Sequence, residues 1–160
     1  MRVYLLRHGI AEDGLGKPDA DRAITPEGYK KLREILKALK RAGVAPTAVL
    51  ASPYLRAMQT AELAVNELGY KGAIEEVGAL TPDSSPRDAW AEIRLHKAQQ
   101  EVLVVGHEPL FSSLTAFLLN SPSLLVDFKK GGVVAIDLAS FTAQPHGVLC
   151  WYLTPKLAAS

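Results

Sequence analysis

Three segments far apart in the chain hold residue types that suit work on an oxyanion: Arg7-His8-Gly9, Ser52 with Arg56, and Gly106-His107-Glu108. Arginine stays charged and presents a planar fork of donors matched to phosphate oxygens, and two of them neutralise most of a phosphate dianion. Neutral imidazole carries a lone pair and can attack phosphorus without a separate base. A second imidazole, protonated by the same anion, can donate to the equatorial oxygens as charge develops there. That chemistry needs two arginines and two histidines at one point, and Arg7, His8, Arg56 and His107 are the candidates. Each has a plainer reading when taken singly. An arginine at a strand end is a surface charge, a histidine beside glycine is a loop residue, and Ser52-Pro53 is a turn. Gly9 either lets the backbone approach a phosphate or permits a turn. Ser52 either bonds the pocket or caps the following helix, and capping is its expected role.

The elements between these segments decide whether they meet. Val3 to Leu6 is a short apolar run of strand formers, followed by a polar, glycine-bearing stretch. Thr25-Pro26-Glu27 opens a helix, with Thr25 as cap and Pro26 at the first position. Tyr29, Leu32, Ile35, Leu36 and Leu39 recur in it at helical spacing, and Gly43 ends it. Ala48 to Ala51 is a second buried strand, and a helix from about Tyr54 to Leu68 is closed by Gly69. Ile74 to Val77 is a candidate short strand. Ser85 caps a helix carrying Trp90, Ile93 and Leu95, with Asp88 placed as in a capping box. Val102 to Val105 is the clearest buried strand, and Leu110 to Leu119 is helical. Val133 to Leu138 and Val148 to Leu153 are two late strands with no helix between them, so they can pair antiparallel. Strand then helix, repeated, implies an α/β fold: a three-layer αβα sandwich with a mostly parallel sheet. Ligands bind such sheets beyond the carboxyl ends of the strands. Arg7 and His8 follow the first strand, Ser52 and Arg56 the second, and His107 and Glu108 the Val102–Val105 strand. One rim can therefore gather them, and the helix after Ser52 adds backbone N–H groups there.

Composition narrows the class. The 160 residues suit one domain, taken as 1–160, and 48% hydrophobic with 22% charged residues is a globular composition. The net charge is +1, with no basic block that would point to nucleic acid or a membrane surface. No apolar stretch approaches the ~20 residues of a transmembrane helix. The N-terminal apolar run is too short for a signal peptide, so a cytoplasmic protein is expected. The single cysteine, Cys150, excludes an intramolecular disulfide and a cysteine zinc site, and reads as a buried strand residue. His96 near a helix end reads as a solvated face residue, and His146 sits in a turn. No ligand pair has the spacing of a metal site. Trp90 and Trp151 are expected in the core, and Lys129 and Lys130 as ordinary strand-edge charges. Glu12 and Asp13 either touch substrate or hold Arg22.

Leu6-Arg7-His8-Gly9, Ser52-Pro53-Tyr54-Leu55-Arg56-Ala57-Met58-Gln59-Thr60-Ala61 and Val105-Gly106-His107-Glu108-Pro109, in that order, resemble the three motifs of the histidine phosphatase superfamily, the phosphoglycerate-mutase-like fold. The segment Asp21–Gly28, Leu80-Thr81-Pro82, Phe128–Gly131 and the tail Trp151–Pro155 are similar to the SixA-type phosphohistidine phosphatases. The resemblance runs from Met1 to about Pro155 and implies a cofactor-independent phosphatase. His8 would be the phosphorylated nucleophile, with Arg7, Arg56 and His107 completing the catalytic pocket; Gly9, Ser52 and Glu108, beside these residues in the sequence, are the candidate substrate-binding residues. Mutases and phosphomonoesterases of the superfamily carry a glutamate general acid two residues after a leucine in mid-chain. Leu80 resembles that leucine, yet the position holds Pro82. The long insertion that forms a lid in those enzymes is absent as well. Asp21, Asp83 and Glu108 remain as substitute acids. General-acid help is worth ~10²–10⁴-fold, and imidazole leaving a P–N bond depends on it less than an alkoxide does. The implied substrate is a phosphate-bearing one, in particular a histidine-phosphorylated carrier protein. A small phosphomonoester or pyrophosphate-linked metabolite is the alternative within the fold. A non-catalytic module that binds phosphoproteins is the alternative outside enzymology.

Overall fold

Along the first strand, β1 (Arg2–Arg7), buried side chains divide by parity: Val3 and Leu5 join one core, Tyr4 and Leu6 the other. A strand apolar on both faces has to be covered on both. The computed structural model, which describes residues 1–160, shows the cover. The other strands are β2 (Ala48–Ala51), β3 (Ile74–Glu76), β4 (Glu101–Gly106), β5 (Val133–Asp137) and β6 (Val148–Leu153). The helices are α1 (Pro26–Arg41), α2 (Leu55–Leu68), α3 (Pro86–Ile93), α4 (Leu110–Leu118) and the short α5 (Pro155–Ala158). All six strands form one sheet in the order β3-β2-β4-β1-β5-β6. The first four in that row pair in parallel, whereas β5 runs antiparallel to both β1 and β6. Leu32, Ile35, Leu36 and Leu39 of α1 pack with Ala57, Ala61 and Ala64 of α2 on one face. Trp90 and Ile93 of α3 pack with Phe111, Leu114 and Leu118 of α4 on the other. The fold is the α/β sandwich expected, with a mixed sheet.

The caps form where the sequence places them. The Thr25 hydroxyl accepts from Gly28 N at 3.0 Å and that of Ser85 from Asp88 N at 3.1 Å. Gly69 closes α2 in the left-handed region at φ 73°, a backbone conformation that strains any residue with a Cβ. Four expectations need correcting. Leu95 lies beyond α3 in a 3₁₀ turn and is 72% exposed, because the helix ends at Ile93. Cys150 and Trp151 are only half-buried, since β6 is an edge strand with no neighbour on its outer side. Lys129 and Lys130 lie in the loop before β5, not on a strand. His96 is half-buried, with Nε2 2.9 Å from the Glu75 carboxylate on β3. No helix is long and apolar enough to cross a membrane.

Candidate active site

The parallel strands β1, β4 and β2 are neighbours and end at one level, with Arg7 opposite Gly106 and Ala51 opposite Val105. Backbone bonds carry that alignment past the strand ends: His8 N donates to Gly106 O at 2.9 Å and Ser52 N to Val105 O at 3.0 Å. The residues that follow therefore converge. The His8 and His107 rings lie 5.1 Å apart, and Arg56 Nε donates to His8 Nε2 at 3.3 Å. His8, Ser52, Arg56 and His107 are all buried, and Arg7 is half-buried.

The tautomer of His8 follows from its neighbour. Nδ1 lies 2.7 Å from the Gly9 carbonyl, which can only accept, so Nδ1 carries the proton. Nε2 then keeps the lone pair. Burial pushes the His8 pKa down to about 3, opposed by the Gly9 carbonyl and reinforced by the charges of Arg56, Arg7 and Lys130. His107 is likewise lowered to about 3, first by burial and then by the charges of His8 and Arg56. Both imidazoles are neutral in this state. His107 Nε2 lies 2.7 Å from Ser52 Oγ, and its ring meets Tyr54 edge-on at 5.1 Å.

Ser52 thus serves the pocket. The expected capping role fails because α2 starts at Leu55, with Tyr54 as its N-cap and no side-chain cap bond. Gly9 has no left-handed φ and so makes no turn of that kind. A Cβ there would stand 2.7 Å from Leu32 Cδ1, so its lack of a side chain brings α1 against the strand end. Gly9 N also donates to Thr60 Oγ1 at 3.2 Å, tying it to α2. The Glu108 carboxylate accepts from Ser112 N at 2.7 Å and from the Ser112 hydroxyl, at the start of α4. It raises the pKa of Arg7, opposing the dominant lowering by burial. Leu80 is fully buried with its carbonyl beside Gly106, so the segment that continues to Pro82 starts next to the site. Arg22 is held by the Glu12 backbone carbonyl at 2.7 Å, while the Glu12 carboxylate bonds Lys17 and Ala23 N.

One site residue escaped the sequence reading. Asp19, in the 3₁₀ turn Asp19–Asp21, holds the far edge of the Arg56 fork: its carbonyl accepts from Nη1 at 2.7 Å and its carboxylate from Nη2 at 3.1 Å. Arg22 Nη1 donates to the same carboxylate at 2.9 Å and is the first cause of its lowered pKa, which suits a buttress and not a proton donor. The signal available was the Asp19–Arg22 spacing of three, a pair that a helical turn brings together.

Two buried side-chain polar atoms have no partner within the protein, Arg7 Nε and His107 Nδ1. Buried donors are nearly always bonded, so the pair marks where an outside group would bind. Arg7 is otherwise anchored by Nη1 donating to Phe128 O at 2.5 Å. Two guanidinium groups, a neutral imidazole with its lone pair at Nε2 and a second imidazole are therefore grouped in one place. That set can accept an oxyanion and attack its central atom.

Residues 3–80 match the family model of the histidine phosphatase superfamily (branch 1). An uncharacterized protein of Picosynechococcus sp. is 30% identical over 149 residues, covering 91% of this chain and 90% of its own. The phosphohistidine phosphatase SixA of Escherichia coli (strain K12) is 29% identical over 159 residues, covering 97% of this chain and 94% of its own. A solved structure of the protein histidine phosphatase SixA complexed with tungstate superposes with a TM-score of 0.86 at 28% identity, covering 98% of both chains.

Proposed function

The chain belongs to branch 1 of the histidine phosphatase superfamily and is a SixA-type phosphatase by sequence and fold, and from that premise we propose that it removes phosphate from phosphohistidine on a protein, with His8 as nucleophile. The observation that carries the reading is the state of His8: Nδ1–H is committed to the Gly9 carbonyl and Nε2 keeps its lone pair against the Arg56 guanidinium. Nε2 attacks phosphorus, a P–Nε2 bond forms and the substrate P–N bond breaks. A protonated phosphoimidazole leaves as neutral imidazole, with its electron pair and no proton to be supplied. Water then attacks phospho-His8, the P–Nε2 bond breaks, and phosphate is released with His8 restored. Arg56 Nε–H, which now caps the lone pair, turns to the phosphoryl oxygens as phosphorus approaches. Arg7 Nε and His107 Nδ1 are the further donors, His107 taking up a proton with the dianion. Tungstate in the SixA relative is a tetrahedral oxyanion of the kind this set would hold. Pro82 in place of a glutamate acid, and α2 running directly to β3 with no covering insertion, fit a pocket approached without a lid and a leaving group that needs little help.

The test compares a histidine-phosphorylated carrier protein with an aryl phosphate, using wild type and His8→Ala. Loss of phosphate from the carrier should fall at least ~10⁴-fold in the variant while its circular dichroism is kept. Undiminished turnover rejects His8 as nucleophile, and activity on the aryl phosphate alone moves the substrate to small phosphomonoesters.

A further inference from the structure

A groove of about 780 Å³ begins at Arg7 and runs between α1, the loop before β5 and α5. Lys31 of α1, Lys129 and Lys130 of the loop and Lys156 of α5 line it with Arg7, against two carboxylates, Glu34 and Asp127. Five cations from four places in the sequence thus gather on one concave surface of a chain whose net charge is +1. Asp127 is bound to Lys129 at 2.7 Å, and Lys31 to Glu27 at 3.2 Å. Lys130 and Lys156 pair with no carboxylate. The groove is continuous with the phosphate pocket: Phe128 O anchors Arg7, Gly131 N donates to His8 O at 3.0 Å, and the charge of Lys130 reaches the His8 imidazole.

We propose that this groove docks an acidic stretch of polypeptide beside the phosphorylated histidine of the substrate protein, an inference that rests on the phosphohistidine reading above. Its volume is on the order of a whole ligand pocket (~300–1,000 Å³), more than a single anionic group fills. The free cations are exposed lysines, strongly hydrated point charges on flexible stems that attract carboxylates without imposing a geometry. The one arginine already spends Nη1 on the backbone, so no second fork awaits a second phosphate. The one aromatic residue in the groove, Phe128, is buried and offers no face on which a base could stack. Charges of this kind act on encounter and on KM, and weaken with salt.

Short phosphohistidine peptides test this, one flanked by Asp and Glu and one with Asn and Gln in their places, beside free phosphohistidine. At about 0.01 M salt kcat/KM for the acidic peptide should exceed that for the neutral one by roughly tenfold, through KM. The ratio should fall toward one at about 1 M salt, where the Debye length is about 3 Å. It should fall likewise in the Lys31→Glu/Lys156→Glu double variant. Equal kcat/KM for the two peptides at low salt, with His8-dependent turnover of both, overturns the groove proposal and leaves the phosphohistidine reading standing. Turnover of aryl phosphate with none of any phosphohistidine overturns both.

Discussion

At the scale of residues, Ser52 and Asp19 act through others. Ser52 Oγ bonds His107 Nε2 and leaves the buried Nδ1 as the ring atom without a protein partner; in the proposed reaction Nδ1 is then the donor to the oxyanion, and the hydroxyl accepts from Nε2–H once His107 takes a proton. A hydrogen bond to a charged group contributes about 1.5–3 kcal/mol. Ser52→Ala should therefore lower kcat by roughly 10–100-fold, with the melting temperature little changed. Steady-state kinetics beside thermal melts check it; a helix cap would show the opposite, a lowered melting temperature with kcat kept. The four catalytic candidates were legible because their types and their places after strands agree. Asp19 was not, because its carbonyl contributes as much as its carboxylate, and a backbone contact leaves no mark in residue type.

At the scale of elements, the start of α1 is fastened to the loop behind His8. Thr25 N donates to Ile10 O at 2.9 Å, and a Cβ on Gly28 would stand 2.3 Å from the same oxygen. Both sides of that contact are backbone, so neither yields by rotating a side chain. Gly28→Ala should cost about 1–3 kcal/mol, the range of overpacked sites. At about 2–4 °C per kcal/mol for a chain of this size, the melting temperature should drop by roughly 2–12 °C. Calorimetry measures it, and an unchanged melting temperature would mean that the loop moves aside freely. Elements with a strong period or clear punctuation were legible: β2 and β6 match their expected bounds, and α2 ends at Gly69. The 3₁₀ turn at Asp19 and the four-residue α5 were not, since neither is long enough to show a period. Strand order was also beyond reach, because pairing joins residues such as Arg2 and Glu101 that no local pattern relates.

At the scale of the whole molecule, the two buried imidazoles tie stability to pH. Each has its folded pKa near 3, below the ordinary 6.5, so between those values the unfolded chain holds more protons than the folded one. Stability therefore rises with pH across that window, is complete above about 6.5 and is lost as pH falls. Each imidazole contributes a slope of about 1.4 kcal/mol per pH unit where it is charged only in the unfolded chain. Urea midpoints between about pH 5 and 6.5, above the range of the carboxylates, should show the loss, and His107→Asn should make it shallower. A flat profile there would mean that the pocket histidines are charged when folded.

The direction of β5 sets how this protein can change. Because β5 is antiparallel to β1, Val133 at its start lies opposite Leu6 near the end of β1, so the loop entering β5 reaches the rim that the parallel strands exit onto. That loop is fastened to Arg7 and His8 by its own main chain, through Phe128 O, Gly131 N and Gly132 O. Main-chain bonds are blind to the side chains they pass. The exposed positions 127, 129 and 130 are thus open to substitution while the fastening holds. If the groove docks substrate as proposed, a chain of this design can change its partner by substitution at these positions and keep the main chain around His8 as it is.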